Sequence, residues 1–363
     1  MINVSNNAIV NRLERATALV ARGDALILTC PENIRYLCGF DYTDGYAVVM
    51  SDRAVVFADS RYIEAARAAV PRPIEVQLLD RGIGTAEPLL RDGGVRRLFY
   101  EDIYMTCAEL ERWRRQYPAC TFEPIRGGFD ALREIKSADE VELIEGAQRI
   151  AERAFDHILE FITPERTEAE VALELDYYMR RCGADSIAFQ TIAVSGRASS
   201  LPHGVPRNTV LERGFLTMDY GAELGGYRSD MTRTVCIGRA DEEMRLIYCT
   251  VLRAQLAAES ALRAGMLCSE ADGIARTIID EAGYGECFGH SLGHGVGLFI
   301  HEAPNLSPRA GERRLRSGNI VTVEPGIYVE GKGGVRIEDM ALIEDGGARI
   351  LTSCPKELIE LCV

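Results

Sequence analysis

The order of helical and strand-like segments repeats in the second part of the chain, and this repeat limits the folds available to it. A capping box at Ser137 predicts the start of a long helix, a shorter helix runs to about Arg181, and strand-like sequence fills residues 188–235. The same order recurs in three later ranges: 241–264, 269–282 and 290–352. No residue-level repeat accompanies it. The pattern therefore predicts an α+β domain of two similar halves around one sheet.

A second, smaller domain is predicted before this one. Residues 1–126 alternate helical stretches with short β-like runs such as AVVFADSRY, as a small α/β unit does. A chain of 363 residues also exceeds what one hydrophobic core usually serves. We therefore predict a two-domain α/β protein with domains at 1–126 and 127–363, joined at the Gly127-Gly128 loop.

Composition excludes several classes of protein. The net charge of −14 disfavours nucleic acid as a partner, because phosphates would be repelled. No run of eighteen apolar residues and no secretory signal is present, which predicts a cytoplasmic protein without membrane attachment. The eleven cysteines, scattered from Cys30 to Cys362 without a CxxC pair, indicate reduced core thiols rather than disulfides or a thiolate zinc site.

Two aspartates flank a predicted hairpin in the segment FLTMDYGAELGGYRSDMTRTVCIG. Gly225-Gly226 between two β-prone runs is typical of a two-residue turn. If Leu224 pairs with Tyr227 across that turn, Asp219 and Asp230 point to the same face of the sheet, about 7–8 Å apart at the backbone. Two like charges on one face, next to an apolar run, favour a shared cation over solvated acids.

A cluster of histidines follows. Four of the five histidines fall between residues 203 and 301, and three of those lie in the glycine-rich segment CFGHSLGHGVGLFIHEAP. Imidazole is a common ligand of transition metal ions, and other histidines could hold the substrate or a transition-state oxygen. The four are His203, His290, His294 and His301.

Two glutamates lie on the arms of another probable hairpin, NIVTVEPGIYVEGKGGVRIEDMALIEDGG. Glu324 follows an apolar run and precedes Pro325, where an unpaired carboxylate would be costly to bury. The turn could contain two, three or four residues. The sequence therefore leaves open whether Glu324 and Glu338 share a face.

These motifs, in their order and spacing, resemble the pita-bread metallopeptidases, and most closely the Xaa-Pro aminopeptidase and prolidase group. The resemblance rests on the Asp hairpin, GHGVG with the downstream HEAP, VEPG and RIED. ENIRYLCGFDYTDGYAVV and DSRYIEAA resemble the creatinase-like N-terminal domain of that group, and LREIKSADEVELI resembles its junction. The resemblance implies a creatinase-like N-terminal domain followed by a pita-bread catalytic domain.

The resemblance also implies roles for individual residues. It places His203 and His301 near the scissile bond and Arg336 beside the substrate. His290 could either line the substrate pocket or only cap the glycine-rich turn. Apart from the resemblance, Thr232 lies two residues beyond Asp230, where its hydroxyl could orient a metal-bound carboxylate. The implied metal ligands are Asp219, Asp230, His294, Glu324 and Glu338.

The implied chemistry is hydrolysis of the Xaa-Pro bond at the N-terminus of a short peptide by a hydroxide that bridges two divalent metal ions. Glu324 would accept the proton of the attacking water. Four carboxylates and one imidazole suit manganese first, and also admit cobalt, zinc or iron. The resemblance further implies a homodimer.

Three other classes of protein are alternatives to the Xaa-Pro peptidases. Creatinase shares both domains but works without metal and lacks the intact ligand set, and non-catalytic pita-bread modules that bind peptides or proteins have usually lost ligands. Methionine aminopeptidase normally lacks the first domain. The motifs alone do not separate prolidase, which cleaves dipeptides, from aminopeptidase P, which accepts longer chains.

Overall fold

The computed structural model describes residues 4–361, whose contacts divide into two units, residues 4–133 and residues 134–361. The division falls between Arg133 and Glu134, after the Gly127-Gly128 loop. Among the described residues, no helix combines the length and the apolar character needed to span a membrane.

The N-terminal unit is a mixed α/β fold around a six-stranded sheet of order β4-β3-β2-β1-β5-β6. Its strands are β1 (Asp24–Leu28), β2 (Gly45–Val49), β3 (Ala54–Ala58), β4 (Glu75–Leu78), β5 (Arg97–Tyr100) and β6 (Thr121–Pro124). Its helices are α1 (Asn6–Thr17), α2 (Pro31–Cys38), α3 (Ile63–Ala69), α4 (Glu87–Asp92), α5 (Cys107–Gln116) and α6 (Asp130–Arg133). In its core the ring of Tyr46 stacks on that of Phe57, with centroids 4.7 Å apart, and makes a T-shaped contact with the ring of Trp113.

The second unit contains the predicted pairs of long and short helices: α7 (Ala138–Phe161), α8 (Glu168–Arg181), α9 (Glu242–Ala261) and α10 (Cys268–Glu281). The two long helices end 100 residues apart, at Phe161 and Ala261. The two short helices also begin and end 100 residues apart. The predicted duplication of the helices is confirmed. The start predicted at Ser269 is corrected: α10 begins at Cys268, where the Glu270 carboxylate accepts a hydrogen bond from the Leu267 amide.

The strands of this unit divide between the same two halves. The first half contributes β7 (Ser186–Ile187), β8 (Ile192–Ser195), β9 (Gly214–Tyr220), β10 (Ala222–Leu224), β11 (Tyr227–Arg228) and β12 (Met231–Ile237). The second contributes β13 (Gly293–Gly295), β14 (Glu302–Leu306), β15 (Ile320–Val323), β16 (Gly326–Val329), β17 (Gly333–Arg336), β18 (Asp339–Glu344), β19 (Gly347–Ile350) and β20 (Glu360–Leu361). Helices α7 and α8 share one apolar core with β9 and β12, and α9 and α10 share another with β15 and β18.

The prediction of one continuous sheet is wrong. The strands form a four-stranded sheet, β20-β12-β9-β8, a five-stranded sheet, β14-β13-β15-β18-β19, and two smaller ribbons, β11-β10-β7 and β16-β17. Where the halves meet, hydrogen bonds from polar side chains take the place of some of the backbone hydrogen bonds that a continuous sheet would have. Thr234 Oγ1 donates to the Arg336 carbonyl at 2.9 Å, while the Glu338 amide donates directly to the Thr232 carbonyl at 3.1 Å.

Arg233 joins the two halves at this point. Its guanidinium, 1% exposed, donates to the carbonyls of Thr232 (2.9 Å) and Glu338 (2.7 Å) and to the Asp339 carboxylate (2.7 Å). It also donates to the carbonyls of Cys354 and Pro355. One side chain thus satisfies acceptors from β12, β18 and the C-terminal segment.

Replacing Arg233 with methionine is expected to destabilise the second unit by about 3–5 kcal/mol, because buried acceptors lose their donor and Asp339 loses one of its cations. This corresponds to a melting temperature lower by about 10 °C in scanning calorimetry. The control is Arg245→Met. Arg245 pairs with Glu360 but is 51% exposed, so its loss should cost less than about 1 kcal/mol. Equal melting temperatures for the two variants would contradict the role of Arg233.

The ten cysteines within residues 4–361 all carry free thiols. Five are buried, but Cys107 and Cys249 are exposed, so the prediction of core thiols is wrong for these two. Helices α5 and α9 present them on their solvent faces. Cys362 lies outside the described residues.

Candidate metal centre

One cavity of about 790 Å³ in the second unit is lined by all nine predicted site residues. Its size falls in the range of about 300–1,000 Å³ that is typical of small-molecule sites. The nine residues come from both halves of the unit. They are His203, Asp219, Asp230, His290, His294, His301, Glu324, Arg336 and Glu338.

The Asp hairpin forms with the predicted register. Gly225 and Gly226 both have positive φ, 58° and 82°, as a tight hairpin turn requires, and Leu224 pairs with Tyr227. The same register continues into β9 and β12, where Asp219 lies opposite Thr232. Asp230, two residues from that partner, therefore shares a face with Asp219.

The Glu hairpin resolves what the sequence left open. Val329 pairs with Gly333 across a three-residue turn, and Val323 pairs with Asp339 further along. The two ladders have the same register, which places Glu324 directly opposite Glu338. Directly opposed residues point to one face, so both carboxylates enter the cavity from the same side.

His294 presents an unprotonated ring nitrogen to the acids. Its Nδ1 lies 3.0 Å from the Gly295 carbonyl, an acceptor, so Nδ1 carries the proton and Nε2 carries the lone pair. Nε2 lies 3.4 Å from Glu324 Oε1 and 3.6 Å from Asp230 Oδ2. Burial lowers the pKa of His294 to about 4, which keeps the ring neutral near pH 7.

One carboxylate oxygen of Asp219 is hydrogen-bonded, and the other has no hydrogen-bond partner among the described residues. Its Oδ2 accepts a 2.6 Å hydrogen bond from Arg336 Nη2, whereas its Oδ1 is buried and has no hydrogen-bond partner among residues 4–361. A buried carboxylate oxygen without a donor is costly. This atom is available to a cation.

The charges in the cavity are unbalanced. Burial raises the pKa of Asp230 and of Glu338 well above the usual range, and the neighbouring carboxylates raise both further. Burial also raises the pKa of Glu324 to about 8, although Arg336 opposes the shift. Four carboxylates thus face one guanidinium, and they can all ionise only with further positive charge among them.

The donors fit divalent cations. Ligand atoms of Asp230, His294 and Glu338 lie within 4.8 Å of one another. Carboxylate oxygens together with a neutral imidazole nitrogen are ligands that divalent metal ions accept. Together with the unpartnered Asp219 oxygen, this arrangement can hold metal.

Two threonine hydroxyls orient the glutamates. Thr232 Oγ1 donates to Glu338 Oε2 at 2.6 Å, and Thr322 Oγ1 donates to Glu324 Oε1 at 3.1 Å. Thr322 Oγ1 also accepts from the His294 amide at 3.0 Å. The hydroxyl of Thr232 therefore contacts a predicted ligand carboxylate, as the sequence suggested, and that carboxylate belongs to Glu338.

The sequence did not single out Tyr328. Its hydroxyl accepts from Arg336 Nη1 at 2.7 Å and lies 2.9 Å from His290 Nε2. Because His290 Nδ1 faces the Ser291 carbonyl at 2.8 Å, Nε2 is the acceptor and Tyr328 donates to it. Tyr328 lies four residues after Glu324, an even spacing on a hairpin arm, and that spacing could have indicated a shared face.

His203 and His301 are the exposed members of the set. The ring centroid of His301 lies 4.2 Å from that of His294. Burial lowers the pKa of His301, although Asp219 opposes the shift. Both rings can therefore reach a ligand in the cavity.

Fold and cavity together define a two-domain hydrolase with a catalytic unit of duplicated helix pairs around a carboxylate-rich centre. Residues 142–345 match the model of metallopeptidase family M24, and residues 12–135 match that of the creatinase/prolidase N-terminal domain. The chain belongs to metallopeptidase family M24. The predicted pita-bread metallopeptidase with a creatinase-like N-terminal domain is confirmed.

Relatives extend over nearly the whole chain. The uncharacterized peptidase YqhT of Bacillus subtilis is 41% identical and aligns over 93% of this chain and 96% of its own length. An Xaa-Pro dipeptidase structure from Bacillus anthracis has a TM-score of 0.93 at 39% identity, covering 97% of this chain and all of the other. An X-Pro aminopeptidase structure from Thermotoga maritima has a TM-score of 0.89 at 34% identity, covering 95% and 99%.

Proposed function

We propose that this protein is an exopeptidase that removes the first residue of a short peptide when the second residue is proline. Two divalent cations would be held by Asp219, Asp230, His294, Glu324 and Glu338. The observation that carries the proposal is the lone pair of His294 Nε2 directed at two predicted ligand carboxylates. Similar solved proteins are named Xaa-Pro dipeptidase and X-Pro aminopeptidase.

Manganese is the proposed metal, because carboxylate oxygens dominate the ligand set. When bound, such cations lower the pKa of water and polarise a peptide carbonyl. The homodimer and the cytoplasmic location stay predictions from the sequence.

The side chains of the chain supply the rest of the chemistry. Glu324 takes the proton of the attacking water and passes it towards the leaving nitrogen. His301 and His203, exposed on the cavity, donate to the developing oxyanion and the leaving group. Arg336, fixed by Asp219 and Tyr328, binds the substrate at its end of the cavity. Burial and the neighbouring Arg336 lower the pKa of His290 to about 4, so the neutral ring accepts from the Tyr328 hydroxyl.

Selectivity for proline follows from its missing N–H. A site with no acceptor placed for that donor binds proline without leaving a polar group unpaired. The free amine of the first residue is favoured by the acidic cavity, which restricts cleavage to the N-terminus.

The test compares Ala-Pro-Ala with Ala-Ala-Ala and with N-acetylated Ala-Pro-Ala. The proline peptide that is cleaved is Ala-Pro-Ala for an aminopeptidase and Ala-Pro for a dipeptidase. Release of alanine from it is expected to exceed release from the alanine peptide of the same length at least about tenfold in kcat/KM, because one well-matched pocket supplies about 1–3 kcal/mol. The acetylated peptide should resist cleavage. Comparing cleavage of Ala-Pro with cleavage of Ala-Pro-Ala decides whether the protein is a dipeptidase or an aminopeptidase. Equal cleavage of peptides with and without proline, or with and without a free amine, would contradict the proposal.

A further inference from the structure

Two residues of the sequence motifs have no part in the proposed chemistry. Lys136 belongs to LREIKSADEVELI, and Glu302 belongs to HEAP. The structure brings them together across 166 residues of sequence: Lys136 Nζ donates to Glu302 Oε2 at 2.9 Å. Their side chains are 1% and 3% exposed. The pair is therefore fully removed from water.

The Glu302 carboxylate shapes the loop of residues 296–301, which connects β13 to β14. Its Oε1 accepts a 3.1 Å hydrogen bond from the Phe299 amide. A Cβ atom on Gly297 would come 2.5 Å from Oε2, so the loop backbone lies directly against the carboxylate. The loop can keep this path only while Glu302 holds its place.

This loop connects two predicted site residues. His294 is the middle residue of β13, and His301 immediately precedes β14. Their rings are in contact, with centroids 4.2 Å apart. The Gly297 carbonyl also accepts from the Arg228 amide at 2.9 Å, two residues before Asp230. A change in the loop would therefore move both histidines relative to the Asp hairpin.

Lys136 attaches Glu302 to a fixed part of the unit. The Lys136 amide donates to the Gly318 carbonyl at 2.8 Å, and the next residue, Ser137, is the N-cap of α7. A buried carboxylate without a nearby cation becomes protonated or draws water inward. The Lys136 ammonium supplies that cation at 2.9 Å from Oε2, while Oε1 accepts from the Phe299 amide.

We propose that Lys136 and Glu302 are positioning residues, whose buried ion pair fixes the loop of residues 296–301 and so the orientation of His294 and His301. The inference rests on the proposed function and deepens it. Neither residue touches the substrate. Both act through the two histidines.

The test is Lys136→Met, with Glu302→Gln as a second variant. Removing a partner that orients a metal-binding histidine typically costs about 10–100-fold in activity or metal affinity, and this loss is expected in kcat with little change in KM. Co²⁺-substituted protein gives a second readout, since its visible absorption reports the ligand geometry at His294. Both variants should shift that absorption. Lys136→Arg, which keeps the charge, should retain more activity than Lys136→Met.

The matched control is Lys332→Met. Lys332 also pairs with a glutamate, Glu243, at 2.7 Å, but these side chains are 60% and 50% exposed. This variant should leave kcat and the Co²⁺ absorption unchanged.

Wild-type kcat and Co²⁺ absorption in folded Lys136→Met and Glu302→Gln would overturn the inference. The inference would also be overturned if the loss of activity were fully explained by the fraction of unfolded protein measured by circular dichroism. If Lys136→Met does not fold, kcat and the Co²⁺ absorption of Glu302→Gln, compared with those of Lys136→Arg, test the inference. Wild-type protein that cleaves no Xaa-Pro peptide would refute the proposed function instead, while the Co²⁺ absorption would still test the ion pair.

Discussion

Replacing Glu324 by glutamine is expected to lower kcat on the Xaa-Pro peptide that the wild-type protein cleaves by about a thousandfold or more, while the fold persists. The amide cannot accept the proton of the attacking water, and a positioned general base contributes about 10²–10⁴-fold. Weaker metal binding adds to that loss. The shape of the side chain is kept, and the amide oxygen can still accept from Thr322. Kinetics and circular dichroism of the purified variant measure both expectations.

The control for this variant is Glu330→Gln. Glu330 lies in the exposed turn of the same hairpin, so the identical substitution there should leave kcat unchanged. Metal analysis separates the two roles of Glu324. A variant that retains its metal and still loses turnover has lost the base, whereas one that loses its metal has lost a ligand. Near-normal kcat in Glu324→Gln would remove Glu324 from the mechanism.

Local sequence signals predicted the helices and the Asp hairpin well. The capping residues and the apolar periodicity of α7 to α10 are contained within each segment, so the helix pairs could be placed to within a few residues. Gly225-Gly226 allows only a short turn, which fixed the pairing of Leu224 with Tyr227 and therefore the common face of Asp219 and Asp230.

Features that depend on distant partners could not be predicted. The turn sequence EGKGG is compatible with several lengths, and the three-residue turn is set by the pairing of β15 with β18. Arg336 and Asp219 are 117 residues apart, and no local pattern links them. The prediction of a single sheet was wrong because it also depended on distant partners. At the junction of the halves, the side chains of Arg233 and Thr234 make hydrogen bonds that backbone amides would make in a continuous sheet.

Removal of bound metal is expected to abolish activity and to lower the melting temperature. Without cations the buried carboxylates repel one another, and a ligand at about a hundred times its Kd stabilises the folded state by about 2.7 kcal/mol. Adding Mn²⁺ to chelator-treated protein should restore both properties. His294→Ala should fail to recover. The control His157→Ala should recover fully, since that ring pairs with Glu174 and stacks on Tyr178 away from the cavity.

The number of Mn²⁺ ions bound per chain tests the metal centre most directly. Titration of chelator-treated protein, followed by calorimetry and by activity on the Xaa-Pro peptide that the protein cleaves, should give two ions per chain, with turnover returning as they bind. Full turnover in protein shown to be free of metal, or no binding of Mn²⁺ by the folded chain, would contradict the assignment of Asp219, Asp230, His294, Glu324 and Glu338 as ligands.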